Sequence, residues 1–139
     1  MTTFVVAIDG SEYSRRALNK TAEMAKCYGA NVHVISVYDV SKSKNLFNAE
    51  KTIANQAEMT SDAVDLVQRS RRFLSDQGIS NDGMALEGSA PDRIVEYAEE
   101  HKADIIIMGQ RGVTGLRRLM GSVTTKVLNS TDISVLVVQ

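Results

Sequence analysis

The chain has 139 residues, of which 43% are hydrophobic and 24% are charged, a balance typical of one globular domain with a substantial core. Its formal net charge of −1 excludes the strongly basic field of a nucleic-acid-binding protein and any bulk attraction to an acidic membrane surface. The single cysteine, Cys27, excludes an internal disulfide, and no apolar run approaches the roughly 20 residues of a membrane span. We therefore expect one cytoplasmic domain over residues 1–139, without nucleic acid or membrane as a partner.

The N-terminal part predicts a strand, a helix and a second strand. An apolar run from Thr3 to Ile8 is typical of a buried strand. The following helix is capped by Ser11 or Ser14 and ends at Gly29, a residue suited to the left-handed conformation after a helix. The β-branched run Val32–Tyr38 indicates a second strand buried on both faces, as in parallel sheets.

The middle of the chain predicts two further helices around a weak strand. The polar segment Asp39–Asn48 is typical of a surface loop. The stretch from about Glu50 to Gln77 contains no Gly or Pro and predicts one long helix. Met84–Glu87 is a weak third strand, and a helix with the capping pattern of Ser89 and Asp92 follows it.

The last third completes an alternation of strands and helices. Ala103–Met108 predicts a fourth strand, Ser122 opens a last helix, and Ile133–Val138 predicts a fifth strand. Such alternation predicts an α/β fold, a three-layer sandwich around a parallel sheet with right-handed crossovers. Ligands of these sheets bind at the carboxyl ends of the strands, where the strand order reverses.

A glycine-rich stretch joins the fourth strand to the last helix. Glycines at 109, 112, 115 and 121 permit positive φ angles and a close approach of the backbone to a ligand. A helix that begins at Ser122 directs N–H groups and the positive end of its dipole toward an anion. Strand, glycine turn and helix N-terminus together favour a phosphate site over the alternative, a solvated surface loop. Arg111, Arg117 and Arg118 either add positive charge to that site or form a solvated face of the loop.

The spacing of these residues resembles the nucleotide-binding branch of the universal stress protein family. The family pattern is Gly-x-x-Gly, nine residues, then Gly-Ser or Gly-Thr. Here Gly109 and Gly112 are followed by eight residues and then by Gly121–Ser122, and the resemblance extends over the whole chain. It implies the strand order 3-2-1-4-5, in which the ends of the first and fourth strands face one crevice.

The resemblance also implies a ligand and a set of site residues. The ligand is ATP with Mg²⁺, or alternatively AMP or another adenine nucleotide. Asp9 would contact the base or the ribose, although a turn carboxylate is the simpler interpretation of an Asp at this position. The predicted nucleotide-binding residues are Ala7, Ile8, Asp9, Val37, Met108, Gly109, Arg111, Gly112, Gly121, Ser122, Val123 and Thr124.

These observations predict a regulatory module of the stress response that binds ATP, with slow hydrolysis at most, because no catalytic base accompanies the glycine stretch. The uncharged fifth strand, residues 133–138, would lie at a sheet edge and predicts a homodimer through that edge. One alternative is a nucleotide-free stress protein that works through protein contacts, which the short spacer favours. Another is a receiver-like domain phosphorylated on Asp, which needs an acidic pair where this chain has only Asp9.

Overall fold

The computed structural model describes residues 1–112 and 120–139. The described strands form one parallel, five-stranded sheet of order β3-β2-β1-β4-β5, which confirms the predicted α/β fold and the order 3-2-1-4-5. A receiver domain of the kind considered above has the order 2-1-3-4-5, so the sheet argues against that alternative. The elements are β1 (Thr3–Ala7), α1 (Glu12–Tyr28), β2 (Asn31–Tyr38), a 3-10 turn (Val40–Ser43), α2 (Ala49–Ser75), β3 (Asn81–Glu87), α3 (Ala90–Glu100), β4 (Ile105–Gly109), α4 (Ser122–Ser130) and β5 (Ser134–Val138).

The sheet carries an apolar core on each face. Because successive side chains of a strand point to opposite faces, Phe4 and Val6 of β1 pack with α1 and α2, whereas Val5 packs with α3 and α4. Phe4 and Val5 are both fully buried. Burial on both faces explains why apolar residues predominate in the central strands. Among the described helices, none is long and apolar enough to cross a membrane.

The ends of α1 follow the predicted capping pattern. The Ser11 hydroxyl oxygen accepts a hydrogen bond from the Ser14 N–H at 3.1 Å, so Ser11 is the N-terminal cap. Gly29 closes the helix in the left-handed conformation at φ 61°. At α3 the prediction is only partly correct, because Ser89 is the N-terminal cap but its side chain makes no capping hydrogen bond.

The third strand is longer than its sequence indicates. It begins at Asn81 instead of Met84 and pairs with β2 from Val32 onward. The polar start of β3 has low strand propensity, and its pairing with a buried neighbour overrides that preference. A Cβ atom at Gly83 would lie 2.6 Å from the Val34 carbonyl oxygen, so a glycine is needed where α2 crosses this strand. The polar loop after β2 also contains a short 3-10 turn, Val40–Ser43, that the sequence did not predict.

Two histidines that are distant in sequence meet between β2 and α3. His33 is buried, and its Nδ1 lies 2.8 Å from the Tyr97 hydroxyl. The ring centres of His33 and His101 are 4.8 Å apart. Burial, and to a smaller extent the neighbouring His101, lower the pKa of His33, whereas Asp82 opposes this shift. Across residues 1–112 and 120–139, no three His, Cys, Asp or Glu side chains are grouped to hold a metal ion.

We expect His33 to make the free energy of unfolding depend on pH. Its pKa is lowered in the folded state, so below about pH 6.5 the unfolded chain takes up a proton that the folded chain still excludes. The stability is therefore complete above about pH 6.5 and decreases as the pH falls. Urea denaturation at about pH 7.5 and about pH 5.5 should show a smaller loss of stability in His33→Gln than in the wild type. An equal loss in both proteins would contradict the assignment to His33.

Candidate functional site

A cavity of about 390 Å³ opens at the carboxyl ends of β1 and β4. This is the point where the strand order reverses, because β1 pairs with β2 on one side and with β4 on the other. Its volume is within the range of small-molecule sites. All of the sequence-predicted site residues line this one cavity: Ala7, Ile8, Asp9, Val37, Met108, Gly109, Arg111, Gly112, Gly121, Ser122, Val123 and Thr124.

Four lining residues were missed by the sequence reasoning: Ser14, Ala90, Ile94 and Met120. Ala90 and Ile94 belong to the first turns of α3, which begins after the carboxyl end of β3, on the side of the sheet where the cavity opens. The apolar face of α3 was visible in the sequence, but its position beside the cavity was not. That position follows only when the strand order is used to place α3 over one face of the sheet. Ser14 carried a signal only as a helix cap.

One part of the cavity wall is apolar. Ala7 and Val37 lie at the ends of neighbouring strands, and both pack on the core beneath α3 and α4. Met108 of β4 and Ile94 of α3 are buried in the same core and also line the cavity. Such a wall suits a flat ring system with little charge.

Asp9 combines the turn role and the site position that were proposed as alternatives. Its Oδ1 accepts a hydrogen bond from the Ser11 N–H at 2.9 Å, and its own N–H donates to Ser14 Oγ at 3.3 Å. Its Oδ2 lies against Gly112, where a Cβ atom would be only 2.6 Å away. The turn therefore fixes a carboxylate on the cavity wall beside the glycine stretch.

At Gly109, Gly112 and Gly121 the glycine is needed for space and not for positive φ, so the sequence interpretation was wrong about positive φ at these three positions. Among the described glycines, positive φ occurs at residues 10, 29, 78 and 88. A Cβ atom at Gly109 would lie 2.7 Å from the Cβ of Tyr13, closer than two carbon atoms can pack. At Gly121 it would lie 3.2 Å from the Cα of Arg111. Two chain segments thus meet at each glycine.

The start and the end of the glycine stretch meet beside the cavity. The Gly121 N–H donates to the Gln110 carbonyl oxygen at 2.7 Å. Gly121 is the N-terminal cap of α4, and the next backbone hydrogen bond runs from the Thr125 N–H to the Gly121 carbonyl oxygen. The first-turn N–H groups and the positive end of the α4 dipole therefore adjoin the cavity through Ser122 and Val123.

The hydroxyl of Thr124, one of the predicted nucleotide-binding residues, is engaged within the protein. Thr124 is 2% exposed, and its Oγ1 donates a hydrogen bond to the Gly109 carbonyl oxygen at 2.9 Å. A hydroxyl has one proton to donate, and here that proton is used within the protein. Thr124 therefore ties the first turn of α4 to the end of β4.

Arg111 supplies positive charge to the cavity wall. Its Nη1 donates a hydrogen bond to the Tyr13 hydroxyl at 2.5 Å, and its guanidinium carbon lies 5.0 Å from the centre of the Tyr13 ring. Both contacts place the side chain of Arg111 next to α1. The predicted contributions of Gly115, Arg117 and Arg118 lie outside the described residues.

Known proteins of similar sequence support this architecture. The model of the universal stress protein family matches residues 1–139. A universal stress protein of Methanocaldococcus jannaschii is 35% identical, over 97% of this chain and 80% of its own length.

Solved structures share the fold closely. The universal stress protein UspA from Lactobacillus plantarum superposes with a TM-score of 0.88 at 21% identity, covering 99% of this chain and 97% of its own. The universal stress protein from Archaeoglobus fulgidus in complex with dAMP has a TM-score of 0.65 at 25% identity, covering 100% of this chain and 98% of its own. Because the family model matches residues 1–139 of this chain, the chain belongs to the universal stress protein family.

Proposed function

We propose that this chain binds an adenine nucleotide in the cavity between β1 and β4, with ATP as the preferred candidate. It would act as a regulatory module of the stress response. The observation that carries the proposal is the pairing of an apolar wall with a helix N-terminus in one cavity. Such a cavity suits a ligand with a flat base at one end and phosphates at the other. The dAMP complex of the Archaeoglobus relative supports the same ligand class.

The lining residues divide between the two ends of such a ligand. Ala7, Val37 and Met108 would contact the base, and Asp9 would accept hydrogen bonds from the ribose or the base. Gly112 and the first turn of α4 would surround the phosphates, where N–H groups stabilise negative charge. The Asp9 carboxylate would lie where the two ends of the ligand meet, since its Oδ2 packs against Gly112.

Mg²⁺ fits this site as a companion of the phosphates. Asp9 is the only carboxylate among the described lining residues. Protein-bound Mg²⁺ commonly uses one or two carboxylates together with phosphate oxygens and retained waters. When bound, the ion would neutralise phosphate charge, and this chain would contribute at most the Asp9 carboxylate.

The described residues of the wall favour binding over turnover. General-base hydrolysis needs a side chain free to accept a proton from water. The described part of the wall contains no His, Lys or Glu, and its one carboxylate, Asp9, is assigned above to the ribose or base and to the metal ion. We therefore propose a nucleotide-binding protein with slow hydrolysis at most.

The edge strand β5 supports a second part of the proposal, a homodimer. The Val138 carbonyl oxygen accepts from the Gln110 N–H, so the backbone groups of Val137 point to the open side of the sheet. β5 contains no charged residue, and an apolar edge with unpaired backbone groups favours pairing with another strand. A second copy paired antiparallel about a two-fold axis would close this edge.

Isothermal titration with ATP and Mg²⁺ tests the ligand. We expect micromolar binding, roughly −8 kcal/mol, because the apolar wall, the helix N-terminus and Arg111 act on the same molecule. AMP should bind to the same site. The absence of both a binding heat and a thermal shift at millimolar ATP would exclude an ATP site.

The Gly112→Ala variant tests the geometry of the site. A Cβ atom here would lie 2.6 Å from Asp9 Oδ2, and a side-chain oxygen can move away without unfolding the protein. We expect ATP affinity to fall about tenfold while the far-UV circular dichroism remains native. Gly121→Ala should reduce the ATP affinity less, because its Cβ atom would lie 3.2 Å from the nearest atom and a smaller shift would make room for it. Normal ATP binding by Gly112→Ala would show that Asp9 does not contact the ligand.

Sedimentation equilibrium tests the dimer. At high micromolar concentration we expect twice the 15.2 kDa mass of one chain. Val137→Lys places a charge on the proposed interface and should reduce the mass to that of one chain. Met84→Lys is the matched control, because Met84 is 52% exposed on β3 at the opposite edge of the sheet. A wild-type mass of one chain would contradict the dimer.

A further inference from the structure

Tyr13, in the first turn of α1, lies close to two arginine side chains. The guanidinium carbons of Arg111 and Arg16 are 5.0 Å and 5.5 Å from the centre of the Tyr13 ring. The Tyr13 hydroxyl also accepts the hydrogen bond from Arg111 Nη1. A cation over an aromatic face and a charge-assisted hydrogen bond are both stabilising, and here they act on the same guanidinium.

The position of Tyr13 is itself set by the end of β4. A Cβ atom at Gly109 would lie 2.7 Å from the Cβ and 2.8 Å from the carbonyl carbon of Tyr13. The cap made by Ser11 also holds the first turn of α1. The backbone of Tyr13 is therefore packed closely against β4, and its ring provides a surface for the Arg111 side chain.

Arg111 lies where the phosphates of the proposed ligand would be. It lines the cavity, and its Cα would be 3.2 Å from a Cβ atom on Gly121, the cap of α4. A guanidinium matches phosphate oxygens in charge and geometry. An arginine held in place before binding loses less side-chain freedom on binding than a free one.

We propose that Tyr13 positions Arg111 for the phosphate groups of the bound nucleotide and so sets the preference of the site for ligands with more phosphates. The inference rests on the proposed function. Tyr13 is not among the described residues that line the cavity, so it acts through Arg111 and not by touching the ligand. Its effect should therefore grow with the number of phosphates and be absent for a ligand without any.

Titration of adenosine, AMP and ATP against Tyr13 variants tests this role. We expect Tyr13→Leu to weaken ATP about tenfold and AMP less, while the affinity for adenosine changes less than about twofold. Tyr13→Phe retains the ring without the hydroxyl and should lie between the wild type and Tyr13→Leu. Tyr28→Leu, at the other end of α1 and 65% exposed, is the matched control and should leave the three affinities unchanged.

A double variant distinguishes the positioning of Arg111 by Tyr13 from a general loss of structure. If Tyr13 acts through Arg111, adding Tyr13→Leu to Arg111→Ala should cause no further loss of ATP affinity. An equal loss of ATP and adenosine binding in Tyr13→Leu, or a further loss in the double variant, would overturn the inference while leaving the nucleotide site intact. Failure of the wild type to bind any of the three ligands would instead overturn the proposed function, and this inference with it.

Discussion

The contact between Gly109 and Tyr13 is the constraint on which the candidate site depends most. At this point the first turn of α1 lies directly on the end of β4, and no side chain fits between them. The contact fixes the start of the glycine stretch, and the hydrogen bond from Thr124 to the Gly109 carbonyl oxygen then adds α4 to the same strand end. The first turns of α1 and α4 are thus both held against Gly109. The cavity lies where their first turns and the end of β1 meet.

The fold was largely predictable because its signals are local. Apolar and β-branched residues marked β1, β2 and β4, and the strand order followed from the resemblance carried by the glycine pattern. Ser11 and Gly29 marked the ends of α1 through their ordinary capping chemistry. The exception was the start of β3, where pairing with β2 determines the structure of a segment whose own residues do not favour a strand.

Most of the residues that line the cavity were predictable from the sequence, but their interactions were not. The glycine spacing indicated where the backbone must lack side chains, but it could not show that Tyr13 occupies the space beside Gly109. The contact between Arg111 and Tyr13 joins residues 98 positions apart, and no sequence period reports such a contact. For the same reason the sequence placed Thr124 among the nucleotide-binding residues but did not show that its hydroxyl donates to a carbonyl oxygen of the protein. Residue types predict which chemistry is present, and the tertiary fold decides which groups are already occupied.

The central claim is that one cavity binds both the base and the phosphates of an adenine nucleotide. The most direct test is a two-dimensional amide NMR titration of the isotope-labelled protein with ATP, which reports the ligand and its location together. The account predicts saturable shifts at Asp9, Gly112, Ser122 and Val123, at the ends of β1 and β4 and the start of α4. Shifts confined to other surfaces of the described chain, or no shifts at millimolar ATP, would contradict it.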